Sequence, residues 1–293
     1  MKQALIKLHI SVFLAGFTGI LGVLISLNEM SLVWYRIMIT VVSLSVLFKI
    51  TGKSAKIPKA TLIRFLLIGC LIALHWVAFY GSIKLSNVSI GLVCFSATGL
   101  FTALLEPLLV TKKIQWAEVG LGLISLLGIY FIFHFDQRYQ TGIIVGIVSA
   151  FLAALFSVLN KKQVNNTEPL VIMLYELTGG LLVLTLLMPV YGYFFPEMSL
   201  IPTLSDWGWL LILSWLCTIV AMQLMLVSLK KVSAFTQNLS LNLEPVYAIV
   251  MAFILFDENK HLSNSFYYGV SLIIVSVVLQ MIRVIYRQKT RIQ

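Results

Sequence analysis

Ten stretches of roughly twenty predominantly apolar residues, separated by short polar connections, run along this chain: about 9–27, 31–50, 64–82, 88–111, 116–135, 141–160, 169–190, 207–229, 234–256 and 264–283. About twenty apolar residues in a helix span the hydrocarbon of a bilayer. The pattern therefore predicts an all-α membrane protein of ten transmembrane helices. A shift of 146 positions places Ser82-Ile83-Lys84 on Ser228-Leu229-Lys230 and, without a gap, Thr98-Gly99-Leu100-Phe101 on Glu244-Pro245-Val246-Tyr247. Lys112-Lys113 then falls on Glu258-Asn259, at the end of an apolar stretch in both halves. The chain reads as one five-helix unit written twice, residues 1–138 and 139–293, in a single compact bundle. Five is an odd number, so the second unit enters the membrane the other way round, and the two are expected to be inverted repeats.

Composition narrows the choice of solvent. Of 293 residues, 60% are hydrophobic and 11% charged, with a mean hydropathy of +0.99. A soluble domain carries about 25% charged residues, so most of this surface is expected to meet lipid. The net charge of +10 would fit nucleic acid only if the basic residues were gathered, and they are not. With the N-terminus placed in the cytoplasm, the inner segments hold Lys2, Lys7, Lys49, Lys53, Lys56, Lys59, Arg64, Lys112, Lys113, Lys161, Lys162, Lys230, Lys231, Arg283, Arg287, Lys289 and Arg291. The outer loops hold only Lys84, Arg138 and Lys260. Such a bias puts both termini in the cytoplasm and explains the basic excess by topology and contact with anionic lipid. The expected location is the cell (inner) membrane, with membrane lipids and no nucleic acid as partners.

The first apolar run is too long for a signal-peptide core and lacks a small-residue cleavage site, so it is read as a membrane span. Cys70, Cys94 and Cys217 fall within spans with no CxxC spacing, and the four histidines are scattered; no metal site, disulfide or cofactor is expected. Walker, GxSxG and HExxH motifs are absent. No catalytic residues are assigned, and the chain is not read as an enzyme.

Polar residues inside spans are costly and usually face a bundle interior or a watery cavity. The fourth stretch carries Thr98, Thr102 and Glu106 at i, i+4 and i+8, with Gly99 and Pro107 weakening the helix. Thr98 is a cavity candidate; Glu106 either shapes an inner gate or reaches the interface near Lys112. In the ninth, Gln237, Ser240, Glu244 and Tyr247 share one helical face, Asn238 and Asn242 flank it, and Pro245 removes a backbone hydrogen bond. A carboxylate at the depth of Glu244 must be paired, hydrated or protonated, which makes it the leading substrate contact and a candidate for proton coupling. The third stretch offers His75 and Phe79 on one face with Trp76 and Tyr80 beside it, and the eighth offers Gln223. Arg36 and Glu176 occupy matching positions of the two halves. Arg36 is an outer-gate candidate, with a side chain snorkelling to the surface as the equal alternative; Glu176 is assigned to the inner gate.

These features together resemble the drug/metabolite transporter superfamily in its ten-helix EamA type. The resemblance rests on Ala78-Phe79-Tyr80-Gly81-Ser82-Ile83-Lys84-Leu85-Ser86-Asn87-Val88-Ser89, Thr98-Gly99-Leu100-Phe101-Thr102-Ala103-Leu104 and Leu243-Glu244-Pro245-Val246-Tyr247-Ala248, together with the last helix of each half at Gly120-Leu121-Gly122-Leu123-Ile124 and Gly269-Val270-Ser271-Leu272-Ile273-Ile274. It covers nearly the whole chain. Gly99 stands where this family often has proline, and Lys112-Lys113 replaces the acid that Asp257-Glu258 keeps in the second half. The resemblance implies a central cavity lined by the third, fourth, eighth and ninth helices, with the fifth and tenth at the periphery. It further implies export or exchange of a small metabolite, often an amino acid or related compound, by alternating access of the kind inverted repeats support. The competing class is an intramembrane enzyme or lipid-handling protein, which would need a nucleophile or a paired acid and base that the spans do not display.

Overall fold

The computed structural model describes residues 2–110, 113–135, 137–196, 199–241, 243, 244, 247, 251, 253–255 and 264–289. Among these residues the ordered elements are all helical: α1 (Lys2–Leu24), α2 (Glu29–Thr51), α3 (Lys59–Leu85), α4 (Val88–Phe95), α5 (Thr98–Val110) and α6 (Trp116–Phe135). A short 3-10 turn, Gln137–Tyr139, leads into α7 (Gln140–Gln163), followed by α8 (Pro169–Phe194) and α9 (Leu204–Ser214). A π-helical segment, Trp215–Val220, joins α9 to α10 (Ala221–Leu229); α11 (Ala234–Leu241) and α12 (Asn264–Lys289) complete the set. Among the described residues, seven stretches are long and apolar enough to cross a membrane: Gln3–Leu24, Glu29–Thr51, Lys59–Leu85, Val88–Val110, Gln140–Gln163, Pro169–Phe194 and Leu204–Leu229; Trp116–Phe131 is shorter but apolar. The expected ninth stretch is described mainly at α11, and Asn242, Pro245 and the 256–263 connection lie outside the described residues.

Local chemistry sets where these helices start and break. Asn28 caps α2 by accepting from Ser31 N, and Asn87 caps α4 by accepting from Ile90 N at 2.8 Å. Thr203 and Asp206 form a capping box at the start of α9, satisfying two amides that helix geometry leaves unpaired. Asp206 also accepts from Ser26 N and Oγ, both at 2.7 Å, which ties the α1–α2 connection to α9. The fourth stretch is interrupted at Ser96–Ala97, ahead of Gly99, while Pro107 sits within α5. Ser96 and Thr98 turn their hydroxyls onto the carbonyls of Val93 and Phe95 at 2.6 Å each, and such back-bonding competes with the helix ladder. The eighth stretch is likewise irregular: Thr218 Oγ donates to Leu213 O at 2.8 Å inside the π-helical segment.

Large apolar side chains such as Leu67, Leu108 and Leu186 stand exposed on the outside, a surface suited to hydrocarbon. Inside, small residues bring helices together as they do in membranes generally. A Cβ at Gly69 would collide with the carbonyl oxygen of Glu176, and one at Gly179 with that of Leu66, so α3 and α8 meet backbone to backbone. At the periphery α6 packs on α12, where Ser125 and Ser276 share a 2.7 Å hydrogen bond and a Cβ at Gly128 would approach Gly269 O to 2.5 Å.

The α3–α8 contact supplies a stability prediction. Gly69→Ala must push two helix backbones apart and is expected to cost about 1–3 kcal/mol, the scale of overpacking a filled core. Gly120→Ala meets nothing within 4 Å and serves as the control. Thermal unfolding in detergent should separate the two variants by several degrees; equal melting would show that α3 and α8 do not pack this closely.

Candidate functional site

A cavity of about 100 Å³ lies between the helices of the two halves. It is lined by Ala15 and Thr18 of α1, Arg36 of α2, Ile72, His75, Trp76 and Phe79 of α3, Phe95 of α4, and Ala153, Phe156, Ser157 and Asn160 of α7. The remaining wall is Cys217 and Thr218 of the π-helical segment, Ala221, Met222, Met225, Leu226 and Leu229 of α10, Gln237, Asn238 and Leu241 of α11, and Glu244. A largely apolar wall with a few placed polar groups is the usual build of a small-molecule site. At a minimum of about 10–15 Å³ per water, the space holds roughly seven to ten waters, which is the scale of a small solute.

Arg36 is the best-anchored polar group. It is 3% exposed, so its side chain does not snorkel to a membrane surface. Nε donates to Thr218 Oγ at 2.7 Å, one terminal nitrogen to Tyr80 Oη at 3.1 Å and the other to Cys217 O at 3.4 Å. The guanidinium carbon lies 3.8 Å from the centroid of the Trp76 ring, within cation–π range. The π-helical segment thus presents both a hydroxyl and a backbone carbonyl to one side chain, in keeping with the frequent occurrence of π-bulges at functional sites. None of the acceptors described for Arg36 is a carboxylate.

Glu244 is 4% exposed, on the same cavity, and accepts from Thr18 Oγ at 3.5 Å, the long limit of a hydrogen bond. Its acid and the Arg36 guanidinium come from different spans and share one cavity. Asn238 donates to Thr102 Oγ at 2.8 Å and accepts from Ser157 Oγ at 3.0 Å; Gln237 donates to Ser157 Oγ at 3.4 Å. His75 stacks on Phe95, with ring centroids 5.5 Å apart, and its Nδ1 lies 2.9 Å from Ser149 O. Ser149 Oγ lies 2.8 Å from the same nitrogen.

Of the residues singled out from sequence, Glu244, Asn238, His75, Phe79 and Arg36 line the cavity. Tyr80 and Thr102 stand one layer behind, holding Arg36 and Asn238. Thr98 is fully buried with its hydroxyl on Phe95 O. Gln223 is half-buried and does not line the cavity, and Tyr247 is 40% exposed, packed edge-on against Phe13. Glu106 accepts from Phe235 N at 3.0 Å, at the start of α11, where a helix N-terminus favours negative charge. Glu176 is fully buried and accepts from Asn160 Nδ2 at 3.3 Å. Asn242 lies outside the described residues. Thr18, Ser157, Asn160 and Thr218 join the site without having been singled out, because a hydroxyl or amide in a span gives no sign in sequence of whether it faces a cavity.

The match that decides the family covers almost the whole chain. The model of the EamA-like transporter family fits twice, over residues 3–134 and over residues 140–282. The chain belongs to the EamA-like transporter family. The two matches give this EamA protein the family's two-repeat architecture, in keeping with a multi-pass membrane protein. A protein of Synechocystis sp. described as an uncharacterized transporter is 24% identical to it over a 217-residue alignment that covers 69% of this chain. The chain spans 60% of that relative's length. A crystal structure of another protein matches with a TM-score of 0.71 at 15% identity, covering 96% of this EamA chain and 97% of the other; at that identity the likeness is one of fold.

Proposed function

We propose that this EamA protein is a secondary transporter of the cell (inner) membrane. It exports or exchanges a small metabolite, an amino acid or related compound, by alternating access through the cavity. One observation carries the reading: the Arg36 guanidinium and the Glu244 carboxyl group line a single small cavity whose other walls are largely apolar and aromatic. Buried charges are expensive unless paired, and a zwitterionic solute brings a partner for each, its carboxylate to Arg36 and its ammonium to Glu244. Trp76, Phe79, Phe95 and Phe156 then face its side chain.

Counterflow of labelled amino acids into proteoliposomes tests the substrate class, and profiling of the medium after overexpression tests direction. Solute moving unchanged, faster than into protein-free liposomes, is expected. Chemical conversion of the solute, or no movement of any amino acid, would remove the reading.

The topology of ten spans in two inverted repeats belongs to the same proposal and rests on the charge bias. Reporter tags at both termini and in the 51–60 loop should face the cytoplasm, whereas tags near Gln140 and Asn259 should face outward. A swap between the two groups would overturn the inverted arrangement.

A further inference from the structure

Behind the cavity wall, α7 and α8 meet through two side chains whose hydrogen bonding is half complete. Asn160 is 2% exposed and Glu176 fully buried. Asn160 Nδ2 donates to Glu176 Oε2 at 3.3 Å. The other oxygen of each group, Asn160 Oδ1 and Glu176 Oε1, is buried without a hydrogen-bond partner among the described residues. Buried polar atoms are nearly always paired, and an unpaired carboxylate away from water is far more costly than an unpaired amide.

Several charged and titratable groups on the surrounding elements are engaged elsewhere. Arg36 of α2 holds Thr218, Tyr80 and the Cys217 carbonyl. On α3, Cys70 faces the carbonyls of Leu66 and Gly179, and His75 bonds Ser149. Lys161 of α7 donates to the carbonyls of Leu229 and Val232, and Tyr175 of α8 to that of Ala55. α10 carries no ionisable side chain. None of these supplies Glu176 with a counter-charge.

We propose that Glu176 and Asn160 form a proton-binding site, in which a proton on Glu176 Oε1 is donated to Asn160 Oδ1 and closes a cyclic acid–amide pair. A protonated carboxyl group is one donor with acceptor capacity left over, and a carboxamide is both donor and acceptor. The ring therefore satisfies both orphaned oxygens with a single proton, taken from water and returned to it. Glu176 itself does not line the cavity, whereas Asn160 does. A solute that draws on the Asn160 amide competes with the ring and loosens the proton. This consequence rests on the transporter reading; the existence of the site does not.

Infrared spectra of the purified full-length protein at neutral pH test the site without any substrate. Wild type should show a protonated-carboxyl C=O band with a component that Glu244→Gln retains and Glu176→Gln removes. Glutamine reproduces the ring's hydrogen bonds, so Glu176→Gln should melt within a few degrees of wild type. Asn160→Ala should move the component to higher frequency, because Oε2 loses its amide donor. An identical band in wild type and Glu176→Gln would overturn the proposal. So would loss of the component when choline chloride is replaced by sodium chloride, which would assign a metal ion to these oxygens. Transport failure in proteoliposomes with the band intact would count against the transporter reading alone.

Discussion

Glu244→Gln is expected to lower transport about tenfold or more while the protein still inserts and melts close to wild type. Tenfold corresponds to about 1.4 kcal/mol, a modest share of what a charge contact in an enclosed site is worth. Glutamine keeps the size of Glu244 and an acceptor for Thr18, whose hydroxyl stands at 3.5 Å. What it removes is the ionisable group facing the same space as Arg36. Transport and binding measured at two pH values then distinguish the roles. Loss of pH-driven accumulation with binding kept marks Glu244 as a proton carrier. Weakened binding with the remaining pH dependence intact marks it as a substrate contact. A structural hydrogen-bonding role predicts a nearly silent change, since hydrogen bonds between membrane helices are worth about 0.6 kcal/mol on average. Wild-type behaviour in both assays would take Glu244 out of the site.

Arg36→Gln is expected to have a comparable effect on transport and a larger one on stability. The guanidinium joins α2 to the π-helical segment through Thr218 and Cys217 O, to α3 through Tyr80, and to the Trp76 ring. Leaving one such buried partner unsatisfied costs about 1–3 kcal/mol. Arg36→Lys keeps the charge but not the planar fork or the stacking geometry, so it separates the two contributions. An Arg36 that binds the anionic end of the solute gives a lysine variant with weakened substrate affinity and partly retained turnover. If Arg36 serves only to lock helices, both variants should melt early, and whatever protein remains folded should bind substrate normally. Unchanged transport in Arg36→Gln would remove Arg36 from the cavity's chemistry.

The helices were legible because span length and apolar continuity are coarse signals. The stretch expected at 169–190 is met by α8 at Pro169–Phe194, and that at 116–135 by α6 at Trp116–Phe135. The first helix starts earlier than expected, at Lys2, because its opening turns are polar on one side and escape an apolar count. The cavity was less legible, since membership depends on which way a helix face points. Each residue of an α-helix turns the chain by about 100°, so a local irregularity moves every candidate beyond it. The Ser96–Ala97 interruption separates Phe95, on the wall, from Thr98, which bonds backward into its own helix. Gln223 follows the π-helical segment, and Met222 and Met225 occupy the wall in its place. Glu106 and Glu176 were visible as acids in spans, but their partners, Phe235 N and Asn160, sit on other helices, which no pattern within a single span connects.

The π-helical segment at Trp215–Val220 gives one span two rotational phases. An i→i+5 turn takes in one residue more than an α-turn, so everything after Val220 is set back by roughly one residue's rotation, ~100°. Before it, α9 is keyed to α2 and the first connection, through Ser214 Oγ on Arg36 O and Asp206 on Ser26. After it, α10 is keyed to α1, receiving Ser11 Oγ on Ala221 O and sending Ser228 Oγ to Ala4 O. The segment works as a phase shifter in a continuous rod: it lets one helix mesh with two neighbours whose surfaces a uniform pitch would not match together.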